Sequence, residues 1–445
     1  MGEFVEPHPS IMHISHELRM IFSFPCGDAG IDDVFMHVKD KESSGVRPYK
    51  PLAGVVVVSL EQAVAGPFAS RQLADLGATV FKIERPGAGD LARGYDRTVR
   101  GMASHFMWLN RGKYSVELDA KTLAGRELLG ELVDTADVVI QNLAPGAMER
   151  LGFGSERLRA QRPALITCDI SGYGRGGPYG DKKAYDLLIQ CEAGLVSITG
   201  TSEQPSKVGL SIADICTGMY AYSGVLTALY DRDRTGIGAG LEVSMLEALG
   251  EWMGYPLYYT EYGGDQPPRA GASHATIAPY GPFTAADGIT LNLGLQNERE
   301  WKAFCTTVLQ QPELADAPRF AGNTDRVAHR AELDAIIQSV FDSITGAEAA
   351  ARLDAAPIAW AQQRTIAEFA RHPQLRARDR WRTATSPVGD VCALRPPVTV
   401  AGFEQETGSI PALGEHNDVV RDWLARRSEP ARLDVSRSPH PFTTE

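Results

Sequence analysis

Asp186, Glu203, Asp214 and His274 are the side chains whose types and settings could carry covalent or proton chemistry. Asp214 has the most particular setting. It closes the apolar run Leu210, Ile212 and Ala213, and beyond it Met219, Tyr222, Val225, Leu226 and Leu229 recur at helical spacing. A carboxylate where an extended run becomes a helix can accept from the helix's free N–H groups, and the dipole favours its ionised form. The position fits a helix N-cap, and it fits a carboxylate nucleophile facing a crevice. Its neighbours alone do not choose. Asp186, in KKAYD, and Glu203 fit surface or turn charges, or further carboxylates of the same site. His274, in the Gly271–His274 segment, fits a structural hydrogen-bonding role.

A run of cations is the second chemical feature. Lys82, Arg85, Arg93, Arg97, Arg100, Arg111, Lys113 and Lys121 outnumber Glu84, Asp90, Asp96, Glu117 and Asp119 in the same stretch, inside a chain of net charge −12. Such a stretch is either a salt-bridged surface or a patch for phosphates. Gly87-x-Gly89-x-x-Ala92 matches a dinucleotide fingerprint only loosely, and it follows a second strand rather than a first. No metal site is expected.

These residues need a scaffold, and the periodicity predicts one. Gly54–Leu60, Ala78–Glu84, Asp137–Asn142 and Ala164–Ser171 are apolar, β-branched strand runs. Helical patterns over Pro67–Leu76 and Thr122–Thr135 separate them, so the expected class is α/β, doubly wound, with ligands at the carboxyl ends of the strands. Leu241–Tyr262 opens as a strand and continues as an amphipathic helix, and Gly263–Pro268 reads as a linker. Ala278–Gly294 predicts a hairpin turning at Asp287–Gly288, and Thr345 with Glu348 a capping box. Asn417–Arg426 is helical.

The composition excludes other classes. A chain of 445 residues, 43% hydrophobic, holds more than one domain. The negative charge disfavours nucleic acid as a partner, and no apolar run has the length of a membrane span. The six scattered cysteines form no C-x-x-C pair, so free thiols in a reducing, cytoplasmic setting are expected.

Several stretches together resemble one family. PLAGVVVVSL (Pro51–Leu60) leads into AGPFASRQLADLGATV (Ala65–Val80) and KIERPGAGD (Lys82–Asp90). LNRGKYSVELD (Leu109–Asp119), NLAPGAMERLGFG (Asn142–Gly154), ISGYGRGGPY (Ile170–Tyr179), ADICTGMYA (Ala213–Ala221), RTGIGAGLEVSMLEAL (Arg234–Leu249) and LGEH (Leu413–His416) follow in order. From about Pro51 to about Trp423 the chain resembles the class III CoA-transferases, which include formyl-CoA transferase, carnitine CoA-transferase and α-methylacyl-CoA racemase. The resemblance implies an α/β fold with a Rossmann-like large domain, a smaller α+β domain and an interlocked-ring homodimer. In this numbering that gives an extension over 1–50, the large domain over 51–245, a linker helix over 246–270 and the small domain over 271–375. Residues 376–445 would return to complete the large domain. It implies Asp214 as the catalytic nucleophile at the domain interface. It implies CoA contacts from Ala63, Val64, Ala65, Arg85, Leu118, Lys121, Asn142, Arg150 and Lys183. Where relatives often carry an aromatic after the asparagine, this chain has Leu143.

The implied reaction moves CoA between an acyl-CoA and a small carboxylic acid, with CoA as substrate and no permanently bound cofactor. Racemases of the family instead pair the aspartate with a histidine in a G-H-D triplet. This chain has Ala184-Tyr185-Asp186 there, and a tyrosine near pKa 10 is a poor base at neutral pH. A CoA-binding protein without catalysis is a third possibility, against which Asp214 and Asp186 weigh. The composition around Trp252–Gly264 and Gly271–Phe283 resembles members that use succinyl-CoA and dicarboxylates, with Arg269 and His274 as cations for the second carboxylate. Incubated with a 2-methylacyl-CoA in heavy water, the enzyme should not wash deuterium into the α position near the turnover rate. Rapid exchange, read by mass spectrometry, would restore the racemase assignment.

Overall fold

The computed structural model of the chain describes residues 47–428. The expected 1–50 extension lies almost wholly outside them. Two compact units form: one of residues 47–193, Gly209–Trp252 and 382–428, the other of Gly194–Val208 and Met253–Trp381. The second thus takes in Gly194–Val208, a segment inside the expected 51–245 span.

In the first unit the β-branched runs become strands β1 (Val56–Leu60), β2 (Thr79–Glu84), β3 (Lys113–Glu117), β4 (Val138–Gln141), β5 (Ile166–Ser171) and β6 (Gly240–Ser244). All pair in parallel, in the order β3-β2-β1-β4-β5-β6. The order reverses between β1 and β4. In doubly wound sheets ligands gather outside the strand carboxyl ends at that reversal. Helices α1 (Ala65–Asp75), α2 (Leu123–Thr135), α3 (Asp186–Glu192), α4 (Ile212–Thr235) and α5 (Met245–Trp252) belong to this unit. Thr122 caps α2, its hydroxyl accepting from the Gly125 N–H at 3.1 Å. Leu129, Leu132 and Val133 of α2 pack one side of the sheet, and Leu73 of α1 with Val225 and Leu229 of α4 pack the other.

The helix expected over 246–270 is broken at Met253, where α5 ends and α6 (Gly254–Gly263) begins. The second unit carries an antiparallel sheet of β7 (Tyr280–Thr284), β8 (Thr290–Gly294) and β9 (Ala359–Gln362) in the order β9-β8-β7. The hairpin turns through Asp287–Gly288 as expected, with Gly288 at φ +80°. Its core gathers Trp301, Phe304, Phe320 and Phe341 with the apolar faces of α7 (Arg330–Phe341) and α8 (Gly346–Ala355). At the start of α8 half the capping box forms: Thr345 Oγ1 accepts from the Glu348 N–H at 3.2 Å, while the Glu348 side chain pairs with Arg352. The last helix, α9 (Asn417–Ser428), returns to the first unit and sets Val420 and Leu424 on its sheet. Among the described residues no helix is long and apolar enough to cross a membrane. Cys168, Cys191, Cys216 and Cys305 are free thiols, in line with the expectation from sequence.

The carboxyl end of β1 is held by a sealed charge network. Glu61, directly after β1, is fully buried. Its Oε1 accepts from Lys113 Nζ at 2.7 Å and Lys82 Nζ at 3.2 Å, and its Oε2 accepts from the hydroxyls of Ser59 and Ser70. Burial alone would raise its pKa; the two ammonium charges and these hydrogen bonds hold it down at about 2. Lys82 also meets Asp90 Oδ2 at 2.6 Å, and Lys113 donates to Asn110 Oδ1 and the Pro67 carbonyl. Three neighbouring strands and α1 are therefore pinned to one carboxylate. Removing one partner of such a group leaves an uncompensated buried charge, which costs about 3 kcal/mol or more. Lys113→Met should lower Tm by roughly 5 °C or more. The double variant Glu61→Leu/Lys113→Met should recover part of that loss, because Lys82 keeps Asp90. A single-variant loss under about 1 kcal/mol in thermal unfolding would count against this account.

Candidate active site

The site is built from the turn after β1. The chain leaves β1 through Glu61, Gln62, Ala63 and Val64 and enters α1 at Ala65. Ala63 has φ +63°, a left-handed conformation that costs a non-glycine residue about 1 kcal/mol. Two clamps hold it. Asn142, after β4, accepts from the Gln62 N–H and donates to the Gln62 carbonyl, each at 2.8 Å, so its amide ties the two strands across the reversal point. Asp90 Oδ1 accepts from the Ala63 N–H at 2.9 Å.

Asp214 approaches this turn from α4. It does not cap its helix, as its sequence setting allowed: Ser211 is the N-cap residue, and Asp214 lies in the first turn. The capping work falls to Asp186 at the start of α3, whose Oδ1 accepts from the N–H groups of Ala213 (2.7 Å) and Asp214 (3.2 Å). Gln190 steadies the other oxygen of Asp186 at 2.6 Å. The Asp214 carboxylate, half-buried, lies instead near the start of α1, where the backbone N–H of Ala65 lowers its pKa. Gly218, one turn further along α4, permits the approach. A Cβ there would sit 2.7 Å from the Ala65 carbonyl oxygen and 3.0 Å from the Phe68 ring.

The electrostatics differ from the expectation that a helix start keeps Asp214 ionised. Desolvation, and after it the charge of Asp186, push its pKa up to about 7, with the Ala65 N–H pulling the other way. Asp214 is thus a poorly hydrated carboxylate that titrates near neutrality, a setting typical of reacting groups. Burial pushes the nearby Cys216 thiol up to about 11, which removes it as a nucleophile. Tyr95, missed in the sequence, also belongs here. Burial first, then the charges of Asp90 and Asp214, raise its hydroxyl pKa.

The residues expected to touch CoA lie at the carboxyl ends of the strands. Ala63, Val64 and Ala65 follow β1, Arg85 follows β2, Leu118 and Lys121 follow β3, and Asn142 and Arg150 follow β4. Lys183 lies between β5 and α3. Leu118 is buried, and Arg85, Lys121, Arg150 and Lys183 are exposed. The basic run as a whole is not a phosphate patch. Lys82 and Lys113 are sealed inside, Arg93 pairs with Glu84, Arg111 with Asp75, and Arg100 donates to the carbonyls of Val388 and Asp390. A cleft of about 290 Å³ opens at the ends of β4, β5 and β6, lined by Leu143, Pro145, Glu149, Ser171, Arg175 and Glu242; Asp214 lies outside it.

Tyr185 is exposed just before α3. Arg269, His274 and Glu203 belong to the second unit. The Arg269 guanidinium donates to the carbonyls of Thr201, Ser197 and Ser202, so it ties its own segment to the Gly194–Val208 segment of the same unit. His274 stacks on Tyr280 at 5.3 Å, and its Nδ1 accepts from the Thr276 N–H. Glu203 is an exposed loop residue that accepts from the Ser202 hydroxyl.

Comparison with known proteins bears on this arrangement. The family model described as CoA-transferase family III matches residues 52–417. The chain is 34% identical over 388 residues to an acetyl-CoA:oxalate CoA-transferase from Acetobacter aceti, covering 86% of this chain and 98% of that protein. It is 34% identical over 389 residues to a succinate–glutarate CoA-transferase from Agrobacterium fabrum, covering 83% and 94%. The crystal structure of a CAIB/BAIF family protein from Brucella suis superposes with a TM-score of 0.75 at 33% identity, over 84% of this chain and all of that one.

If Asp214 reacts as an ionised carboxylate, a pH-rate profile should report it. With Asp214 near pKa 7, the rate should fall below neutrality and level off above it. Asp186→Asn keeps an acceptor for the Ala213 and Asp214 N–H groups but removes the like charge, so the midpoint should move to lower pH. Desolvation remains, so the midpoint should stay above the ordinary carboxylate range. A profile unmoved by Asp186→Asn would contradict the charge coupling.

Proposed function

The chain belongs to CoA-transferase family III, and on that footing we propose that it moves CoA from succinyl-CoA to a dicarboxylic acid, with Asp214 as the nucleophile. One observation carries the assignment: the half-buried Asp214 stands one turn from the point where α4 meets the start of α1 at Ala65, beside a second carboxylate, Asp186, that accepts from its own N–H. An Asp214 oxygen attacks the thioester carbonyl, the C–S bond breaks, and CoA leaves as a thiolate from a mixed anhydride. The thiolate attacks the aspartyl carbonyl carbon, which releases the donor acid and leaves CoA on Asp214 as a thioester. The acceptor carboxylate attacks that thioester and expels the CoA thiolate to give a second mixed anhydride; the thiolate then attacks the acceptor's acyl carbon, which forms the new acyl-CoA and releases the Asp214 carboxylate. Atoms and charge balance at each step, and one hard exchange becomes a series of easier ones. Backbone N–H donors at the helix starts suit the anionic tetrahedral states.

CoA lies over the carboxyl ends of β1 to β4, with Ala63, Val64, Ala65, Leu118 and Asn142 shaping its bed and Arg85, Lys121, Arg150 and Lys183 meeting its phosphates. The four basic side chains are exposed there, which suits strongly hydrated phosphates. The dicarboxylate assignment draws on the Agrobacterium relative, named for succinate and glutarate, and the Acetobacter relative, named for oxalate. Of the two cations expected for the second carboxylate, Arg269 is committed to backbone carbonyls. His274 accepts at Nδ1 and so keeps Nε2–H as a donor, which favours it for this role. We further propose that two chains interlock as a homodimer, that the enzyme is cytoplasmic, and that CoA enters as substrate rather than as a resident cofactor.

Incubation with succinyl-CoA and no acceptor should leave CoA bound to the enzyme through a thioester. Hydroxylamine should convert it to a hydroxamate on Asp214, seen as a mass change in one peptide. Asp214→Asn should lower exchange by roughly three orders of magnitude or more, as loss of a nucleophile does. A label on Asp186 or Glu203, or near-normal turnover of Asp214→Asn, would return Asp214 to a structural role.

A further inference from the structure

Asp90 touches neither Asp214 nor the crevice, yet its side chain joins the elements that shape both. It is almost fully buried, and its Oδ2 lies 2.6 Å from Lys82 Nζ. Its Oδ1 accepts two backbone donors, the Ala63 N–H at 2.9 Å and the Ala92 N–H at 2.8 Å. Its own N–H donates to Glu84 Oε1 at 3.0 Å. Through Ala63 it grips the strained turn that delivers Ala65 to Asp214. Through Ala92 it starts the short turn Leu91–Gly94, which leads straight to Tyr95. Lys82 in turn is locked to Glu61, so the position of Asp90 is set by the sheet.

Other candidates carry less. The cleft beside Arg175 is walled by carboxylates whose partners lie within it, and nothing at it points to a ligand. The groove lined by Trp360, Ile366 and Phe369 in the second unit has nothing to identify an occupant.

We propose that Asp90 is a positioning residue for the nucleophile: anchored by Lys82, it fixes the Ala63 turn and so holds the start of α1, against which α4 packs at Gly218, in place beside the Asp214 carboxylate. The inference rests on Asp214 acting as the nucleophile. Ala63 would otherwise relax out of its left-handed conformation, since alanine gains from leaving it. That relaxation would shift the start of α1 and with it the Ala65 N–H that favours the ionised carboxylate, while Asp186 on α3 and Cys216 on α4 stay where they are. A misplacement of this size typically costs ~10–100-fold in rate.

The test follows the rate at which succinyl-CoA loads CoA onto Asp214, quenched with hydroxylamine and read by mass spectrometry, across pH 5 to 9, in the full-length enzyme. Asp90→Ala should slow loading at least about tenfold, leave KM for succinyl-CoA within about threefold, and move the midpoint of the pH profile upward. Asp90→Asn, which keeps the shape but cannot serve Lys82 and both N–H groups at once, should show a smaller change in the same direction. It serves as the reporter if the alanine variant does not fold. Loading within twofold of the parent in a folded variant, or a loss confined to KM with an unmoved midpoint, overturns the positioning role. A parent enzyme that never labels Asp214 overturns the nucleophile assignment, and this inference with it. A labelled parent with an equally fast Asp90 variant overturns only the latter.

Discussion

A carboxylate that cannot reach water must find its cations inside the protein, and Glu61 imposes that demand on everything around it. Lys82 from β2 and Lys113 from β3 have to turn inward, and Ser59 and Ser70 have to offer hydroxyls. Each strand is then fixed in height relative to its neighbour, because an ammonium a few ångströms out of place would leave a bare charge in a low dielectric. The turn after β1 inherits that precision. Its Gln62 is clipped across the sheet by Asn142 and its Ala63 is clipped by Asp90, so the site stands on the ends of strands rather than on a free loop.

Two opposed influences meet at the other half of the site. Helix starts favour an anion, yet the half-buried Asp214 faces a second carboxylate, Asp186, that the first turn of α4 needs as its cap. The same group therefore builds the helix and burdens the carboxylate proposed as nucleophile. A carboxylate stabilised too well would be a weak nucleophile, and one repelled too strongly would be protonated. A pKa near neutrality suits the proposed role, since such a group is both available and reactive.

Most of the large fold was legible in the chain. The runs at Val56–Leu60, Thr79–Glu84, Val138–Gln141 and Ile166–Ser171 are mostly apolar and β-branched because a parallel sheet covered on both faces demands it, with few enough polar residues to keep the signal. β3 was not, because its inward residues Lys113 and Ser115 are polar and serve the charge network, which breaks the hydrophobic signal. Asp214 could be singled out by the change of period around it, but its helix starts earlier than that change suggests, and its cap comes from a residue 28 positions upstream. The cationic run misled for the same reason as β3: one-letter spacing does not say which lysines face inward. Asp90, Tyr95 and Gly218 left no local pattern, since each matters through a contact distant in sequence.

Gly218 has a mechanical consequence. Where it passes Ala65, α4 rests on α1 main chain to main chain, with no room for even a methyl group between them. Side chains spread their contacts over rotamers, and warming repopulates those rotamers; two backbones in contact have nothing to repopulate. The spacing between Asp214 and the start of α1 is then set by atomic radii, in the way a gauge block sets a gap. Such a joint expands little with heat and does not drift with the repacking of its surroundings. It gives way only when the helices part, so the alignment of the site should fail abruptly, together with the fold, rather than fade ahead of it.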